Sequence, residues 1–380
     1  MEEKYMLVHR HVGNVDFAVD PSQPVGIFLK NTEDSNLSFA NVNAFVNWVL
    51  AGARIPATLE WELLSVCNFK CGFCYIVGHT PKTIFSSERA FELIDEFVDA
   101  GVVQVILTGG ECLIHPNFTA IYEKLRLAGI IVSVYTNLEL LTAQHIEIFK
   151  RYPPYMIEIS IYGHDEDSYE KVTGRRAFEK VLQNIELLRT YGFNLFCKTP
   201  ITTLTHNSIE WIYNWCTNRN LEYFVSPSIQ NGLDGDNLAH FALKGEDYYS
   251  AEKFRLKLVK NPTPPTKTQN REPSRVFNCG VGKVGAYINY DANLSPCSDI
   301  RNQRFNLMEL SFADAWHQLV NNIKPQEGLV ISGCNPNCSA KSICKMCPAL
   351  ALRDEQGNYT VNPAYCERTI ALAKVLSISS

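Results

Sequence analysis

Three cysteines, Cys67, Cys71 and Cys74, stand at spacing C-x3-C-x2-C within the run Glu62 to Tyr75, directly after an apolar, strand-like stretch. Closely spaced thiolates on one loop suit a soft metal centre better than a disulfide framework. A closed structural zinc site takes four protein ligands, whereas three leave one coordination position for something else. Reduced core or zinc-binding cysteines are the plain alternative. Seven further cysteines, Cys279, Cys297, Cys334, Cys338, Cys344, Cys347 and Cys366, are flanked by Gly, Pro and Asn. Such a segment builds little apolar core and needs metal to fold. Two centres are the natural count, with two zinc sites as the alternative. Of the remaining thiols, Cys197 and Cys216 read as core, and Cys112 is the outlier.

The elements that must position these groups follow from periodicity. From Ala57 a strand-then-helix rhythm sets in. Strands are expected over Thr58–Val66, Val102–Leu107, Ile130–Tyr135, Met156–Ile161, Asn194–Thr199 and Leu221–Val225. Between them fall helices over Ser87–Ala100, Phe118–Ala128, Thr142–Arg151, Phe178–Tyr191 and Ser208–Arg219, several stopped by glycine. Successive strand–helix units imply a parallel sheet, doubly wound or curled into a barrel. The strand ends carry polar chemistry. The second runs into Thr108-Gly109-Gly110-Glu111, where glycines permit close backbone approach to a ligand and a carboxylate suits an ammonium. Asn137 follows the third strand, Ser160 ends the fourth, and Arg175 and Arg176 come shortly after. An ordinary turn residue and solvated charges are the alternatives for Asn137 and the arginines.

The C-x3-C-x2-C loop with Phe73 before its last cysteine, followed one strand later by G-G-E, resembles the radical S-adenosylmethionine (radical SAM) enzymes. The resemblance implies an α/β fold, a partial (β/α)6 barrel with its cluster loop after the first strand. It implies that Cys67, Cys71 and Cys74 hold a 4Fe-4S cluster whose open iron is chelated by SAM. Reduction then gives a 5′-deoxyadenosyl radical that abstracts a hydrogen atom. By the same resemblance Gly109, Gly110 and Glu111, with Thr108 before them, bind the SAM amino group. Phe73, Asn137, Ser160 and either Arg175 or Arg176 stand at further cofactor-binding positions. Cys112 replaces a proline common in the family. Its thiol could donate a hydrogen atom, or it is a small buried residue. The C-terminal set resembles the SPASM extension and its two auxiliary 4Fe-4S clusters, making three clusters in all. Its x3, x5, x2 spacing departs from the common x2, x5, x3, which leaves individual ligands open. By analogy Cys279, Cys297 and Cys347 serve the inner cluster, and Cys334, Cys338, Cys344 and Cys366 the outer.

SPASM members mature ribosomally made peptides, or act on sulfatases, haem precursors or small metabolites. The expectation is a peptide-modifying oxidoreductase supplied by an electron donor such as flavodoxin or ferredoxin. Oxidative cross-linking is preferred, with epimerisation second, Cys112 being its hydrogen donor. A small-molecule dehydrogenase, a haem-pathway enzyme and a sulfatase-maturing enzyme are the competing enzymes. A plain electron-carrying iron–sulfur protein is the non-enzymatic alternative, against which the G-G-E loop argues.

Composition agrees. The chain has 380 residues, 46 % hydrophobic, and a net charge of -5 with scattered basic residues, which argues against nucleic acid. No run of about 20 apolar residues suggests a membrane span, and the start has no signal-peptide pattern. Thirteen cysteines then point to a reducing, cytoplasmic setting. The expected domains are 1–55, a small α+β lid or substrate-binding unit with a helix over Phe39–Leu50; 56–240, the barrel; 241–275, a bridge with a helix near Tyr248–Val259 and the run Asn261-Pro-Thr-Pro-Pro; and 276–380, a loop-rich iron–sulfur domain. Gly280-x-Gly282-x-x-Gly285 is followed by a hairpin pattern instead of a helix, so it is not a dinucleotide site. Asp234 and Asp236 read as a surface loop.

Overall fold

The computed structural model describes residues 7–12, 15–25, 27–29, 38–39, 46, 54–76, 84–226, 229, 238–258, 281–300, 303–322, 332–335, 337–344, 347, 349–353 and 359–376. The first strands, β1 (Val8–Val12), β2 (Val15–Val19), β3 (Ile27–Leu29) and β4 (Ser38–Phe39), form an antiparallel sheet in that order. Of the helix expected over Phe39–Leu50, the described residues are Phe39, which ends β4 instead of starting a helix, and Val46, which is helical and buried.

The alternating region follows: β5 (Thr58–Glu62), α1 (Ser87–Asp99), β6 (Gln104–Thr108), α2 (Phe118–Leu127), β7 (Ile131–Thr136), α3 (Ala143–Arg151), β8 (Met156–Ser160), α4 (Glu166–Thr173), α5 (Phe178–Thr190), β9 (Leu195–Pro200), α6 (Ile209–Thr217) and β10 (Glu222–Ser226). β5 to β10 pair in parallel in chain order, the partial barrel expected. Helix ends have local causes. Ser86 caps α1 by accepting the Arg89 N–H, and Gly101 at φ +85° ends it. α4 was not expected, because only Tyr169 and Val172 give it a buried apolar stripe. A capping box between Asp165 and Ser168 and Gly174 in the left-handed region define it instead.

Parallel strands are usually apolar on both faces; these alternate. Leu59, Trp61, Val105, Leu107, Val132, Val134, Ile157 and Ile159 are buried in one large core. The opposite, inner face carries Glu60, Glu62, Ser133, Tyr135, Glu158 and Lys198, and is therefore built for polar contents.

The N-terminal sheet is docked on the end of the barrel remote from the cysteine loop. Val12, Phe17 and Val19 pack with Ala57, Val103 and Ile131, which precede or begin β5, β6 and β7. Arg10, buried, donates to the carbonyls of Val102 at 2.9 Å and Gly129 at 3.3 Å. Arg126 on α2, wholly buried, donates in return to Pro21 at 2.9 Å and Gln23 at 2.6 Å. Burial lowers the Arg10 pKa to about 10, so the guanidinium stays charged near neutrality. The described strands of the unit expected over residues 1–55 thus pack at the N-terminal ends of β5, β6 and β7, opposite the end that carries the cysteine loop. Fusing the apolar face of a short sheet to the exposed N-terminal strand ends buries both, which sequence patterning could not foresee.

Beyond α7 (Gly245–Leu258) the expected hairpin appears as β11 (Gly285–Ile288) and β12 (Asn293–Ser295), followed by β13 (Phe305–Asn306). β11 pairs in parallel with β5, so the barrel sheet continues through the C-terminal region and the expected boundary does not separate two sheets. α8 (Phe312–Asn322) packs on α1, with the Phe312 and Phe97 rings 4.9 Å apart, and Trp316 donates to the Arg54 carbonyl at 3.0 Å. The short pair β14 (Leu352–Arg353) and β15 (Tyr359–Thr360) leads to α9 (Pro363–Val375), capped by Asn362. α9 meets α7 through Glu252, fully buried, which takes two bonds from Arg255 at 2.7 and 2.9 Å and lies 3.8 Å from Arg368. Among the described residues no helix is long and apolar enough to cross a membrane.

Candidate active site

The cysteine loop leaves β5 at its C-terminal end and is held between two neighbours. On one side the Gly110 N–H donates to Leu64 O at 2.7 Å and the Glu111 N–H to Val66 O at 2.9 Å. A Cβ on Gly110 would stand 2.2 Å from the Val66 carbonyl oxygen, and one on Gly109, at φ +150°, 2.6 Å from that of Leu64. The glycines thus let two loops of the protein lie backbone to backbone, where the sequence suggested approach to a ligand. On the other side Lys70 and Gly72 donate to Thr173 O at 2.7 Å and Val172 O at 3.2 Å, at the end of α4. Phe73 sets its edge against Tyr162, centroids 5.4 Å apart, and Phe241 at 6.4 Å.

Backbone N–H groups are aimed at two of the three sulfurs. Phe69 N–H reaches Cys67 Sγ at 3.3 Å and Ile76 N–H reaches Cys74 Sγ at 3.4 Å; Asn137 Nδ2 stands 3.8 Å from Cys67 Sγ. Burial pushes the Cys67 thiol up to about 12, against the Phe69 and Asn137 donors, with Glu111 and Cys74 adding to the rise. Cys71 is pushed well up, by burial first and then by Cys74 and Cys67. The three thiols therefore share one field.

Glu111 is almost wholly buried. Its Oε1 accepts from the Thr136 hydroxyl at 2.6 Å and Leu113 N–H at 3.0 Å, and its Oε2 accepts from Asn137 N–H at 2.6 Å. Burial raises its pKa while these three donors oppose the rise. Asn137 also donates through Nδ2 to Asn68 Oδ1 at 2.8 Å, and Asn68 donates to Glu139 Oε2. Glu139 in turn holds Arg175 Nε at 2.6 Å. Of the two candidate arginines Arg175 therefore joins the site, while Arg176 pairs at the surface with Asp167 and Glu170. Glu139 and Asn68 were missed. Asn68 lies inside the cysteine motif, and Glu139 is a carboxylate two positions past a strand-end Asn, so both were within reach of spacing arguments. Thr108 ends β6, its carbonyl receiving Leu63 N–H at 3.0 Å, and Ser160 ends β8 with its side chain bonded to Tyr162.

Cys112 is fully buried, donates to the Tyr135 carbonyl at 3.3 Å and packs in the main core. The inner face carries a second polar group. Lys198 Nζ lies 3.0 Å from Glu158 Oε1 and 5.6 Å from the Tyr135 ring centroid, and the Tyr75 hydroxyl donates to Glu62 at 2.6 Å. Glu60 has its pKa raised to about 7 by burial and then by Glu62, with Lys198 opposing.

Residues 61–216 match the family model described as the Radical SAM superfamily. The chain carries a radical SAM domain. Its relatives agree. The Bacillus subtilis antilisterial bacteriocin subtilosin biosynthesis protein AlbA is 23 % identical over 275 residues, 70 % of this chain and 60 % of AlbA, so the chain spans less than two thirds of that relative. The AdoMet-dependent heme synthase of Methanosarcina barkeri is 23 % identical over 350 residues, 84 % of this chain and 98 % of that protein. Among solved structures, Streptococcus suis SuiB bound to S-adenosylmethionine superposes with TM-score 0.65 at 14 % identity, covering 84 % of this chain and 79 % of SuiB. Native anSMEcpe with bound AdoMet gives 0.62 at 15 % identity, covering 84 % and 96 %. These two likenesses show a shared fold.

The donor set fits the radical SAM cluster. Three thiols from one loop share a field, two already receive N–H donors of the kind that stabilise cluster sulfur, and a buried carboxylate stands beside them. Among the described residues no three Cys, His, Asp or Glu side chains are closed tightly enough to hold a single metal ion. The C-terminal thiols fall into two neighbourhoods. Cys297 is pushed up to about 12 by burial and then Asp299, with Cys347 also contributing. Cys366 is raised by burial and then by Cys344, Cys334 and Cys338. Cys279 lies outside the described residues.

Proposed function

We propose that this protein is a radical SAM enzyme that modifies a ribosomally made peptide or protein by oxidative cross-linking. The observation that carries the reading is its likeness to SuiB solved with the precursor peptide SuiA, which covers 88 % of this chain at TM-score 0.65, together with AlbA as a relative. Cys67, Cys71 and Cys74 would hold the cluster that binds SAM. Cys297 and Cys347, with Cys279, would hold one auxiliary 4Fe-4S cluster, and Cys334, Cys338, Cys344 and Cys366 the other. When bound, SAM and its cluster supply a 5′-deoxyadenosyl radical that removes one hydrogen atom, and an auxiliary cluster supplies an acceptor for the electron left on ring closure. Among the described residues Glu111 Oε2 has one N–H donor, from Asn137, and would accept a second from the SAM ammonium. Arg175, fixed through Nε by Glu139, would offer its remaining N–H groups to the SAM carboxylate. Glu60 on the inner face would take the proton released as the new bond forms, its pKa of about 7 suiting that exchange. A small carrier such as flavodoxin or ferredoxin would deliver the reducing electron.

The test is the mass of short peptides encoded beside the gene after incubation with protein, SAM and reductant. Loss of two hydrogens supports cross-linking. Unchanged mass with one deuterium gained from heavy water would mean epimerisation, which burial of Cys112 disfavours. A haem-pathway reading is kept because the heme synthase is matched over 98 % of its length; a porphyrin altered while every peptide is left intact would establish it.

A further inference from the structure

Tyr169, in the middle of α4, is fully buried, and among the described residues its hydroxyl has no hydrogen-bond partner. A phenol oxygen shut away without a partner keeps its full desolvation penalty, and phenylalanine would fill the same space without it. The ring is firmly placed. Its edge meets Phe69 in the cysteine loop at 5.9 Å, and it lies 6.3 Å from Tyr162 and 5.9 Å from Phe178. Gly163 approaches so closely that a Cβ there would lie 2.6 Å from the Tyr169 nitrogen, and the Thr173 hydroxyl donates to the Tyr169 carbonyl at 2.8 Å. The helix that carries it is tied at its end to Lys70 and Gly72, the residues on either side of Cys71. The charge this hydroxyl senses most strongly is Cys71. The sulfurs are unequally served: Cys67 and Cys74 receive N–H groups from Phe69 and Ile76, whereas the backbone donor to Cys71 is its own amide.

We infer that Tyr169 is a positioning residue whose hydroxyl donates to the Cys71 thiolate, or to a sulfide beside it, once the 4Fe-4S cluster is assembled, and so sets the cluster's reduction potential. This inference rests on the radical SAM reading of the loop. A donor to cluster sulfur stabilises the reduced, more negative form and raises the potential. Removing the hydroxyl should therefore make the cluster harder to reduce, while leaving the unloaded protein as stable or more so.

The experiment is Tyr169→Phe in the full chain, reconstituted with iron and sulfide under anaerobic conditions. The midpoint potential is read by paramagnetic resonance on the signal that changes when SAM is added, which separates this cluster from others. The expected results are a shift to more negative potential, loss of one exchangeable proton coupling, and a denaturation midpoint of the unloaded variant no lower than that of the parent. An unchanged potential, or an unloaded variant clearly less stable than the parent, overturns the inference. If the parent protein itself shows no SAM-responsive cluster signal, the reading of the cysteine loop fails instead, and the two failures are told apart.

Discussion

Gly110→Ala isolates one steric contact. Gly110 has no positive φ, so alanine meets no backbone strain there. The added methyl would stand 2.2 Å from Val66 O, 2.5 Å from Val66 C and 2.6 Å from Ser65 O, all main-chain atoms that cannot rotate aside. The loops must part by about 1 Å to reach ordinary contact, a displacement of the size that makes overpacking cost about 1–3 kcal/mol. Parting them also weakens the Gly110–Leu64 and Glu111–Val66 hydrogen bonds of 2.7 and 2.9 Å, each worth about 1 kcal/mol. The sum, about 3–5 kcal/mol, is a large share of a typical domain's stability. It falls on the segment that carries Cys67. Gly192→Ala is the control: Gly192 lies at φ +75° with nothing within 4 Å, so it meets left-handed strain of about 1–2 kcal/mol and no collision. Urea denaturation and iron content per chain, measured after anaerobic reconstitution, should show Gly110→Ala less stable and depleted of the SAM-responsive cluster, and Gly192→Ala mildly destabilised with iron intact. Equal iron and equal SAM cleavage in Gly110→Ala and the parent would refute the view that the two loops are held in register by that close approach.

Three further outcomes follow from the same geometry. Glu139→Gln removes the charge that holds Arg175 yet keeps an amide for Asn68; SAM affinity by calorimetry should fall roughly tenfold, about 1.4 kcal/mol, with iron content unchanged. Glu60 holds its proton in the fold up to about pH 7, whereas the unfolded chain releases it in the ordinary carboxyl range, so stability falls as pH rises through that window; the full shift would correspond to up to about 3 kcal/mol, less because Glu60 is only half-buried, and Glu60→Gln should flatten that part of a urea-midpoint-against-pH curve. Glu252→Ala strips Arg255 and Arg368 of their shared buried partner; a loss of about 2–3 kcal/mol is expected, together with selective loss of iron from the group containing Cys366 on α9, read by Mössbauer spectroscopy.

Strand-helix order was legible because each core-facing run alternated or recurred at helical spacing, and the expected strand ends lie within a few residues of those observed. The cysteine loop and the Gly-Gly-Glu turn were legible because few chemistries need those residues so spaced. What these glycines face was not: sequence shows that backbone must come close, but not whether to a ligand or to Leu64 and Val66. α4 escaped because two apolar residues and a capping box make a weak periodic signal. The place of the N-terminal sheet escaped as well, since what holds it, the bonds from Arg10 and Arg126, goes to carbonyls far off in sequence that no local pattern points to. The choice between Arg175 and Arg176 likewise needed Glu139, which no local pattern attaches to either.

The pairing of β11 with β5 also bears on how the chain emerges during synthesis. Gly285 adds alongside Thr58, so the strand bearing the cysteine loop has an open edge until most of the chain has been made. At typical elongation rates that interval is on the order of ten seconds or more, far longer than a hairpin takes to form. An exposed parallel edge is a template for any extended segment nearby. Truncations that stop before Gly285 would leave that edge permanently bare, so shortened chains should be recovered as aggregates even when every residue from 61 to 216 is present, and a soluble fragment would have to carry residues 285–288 with it.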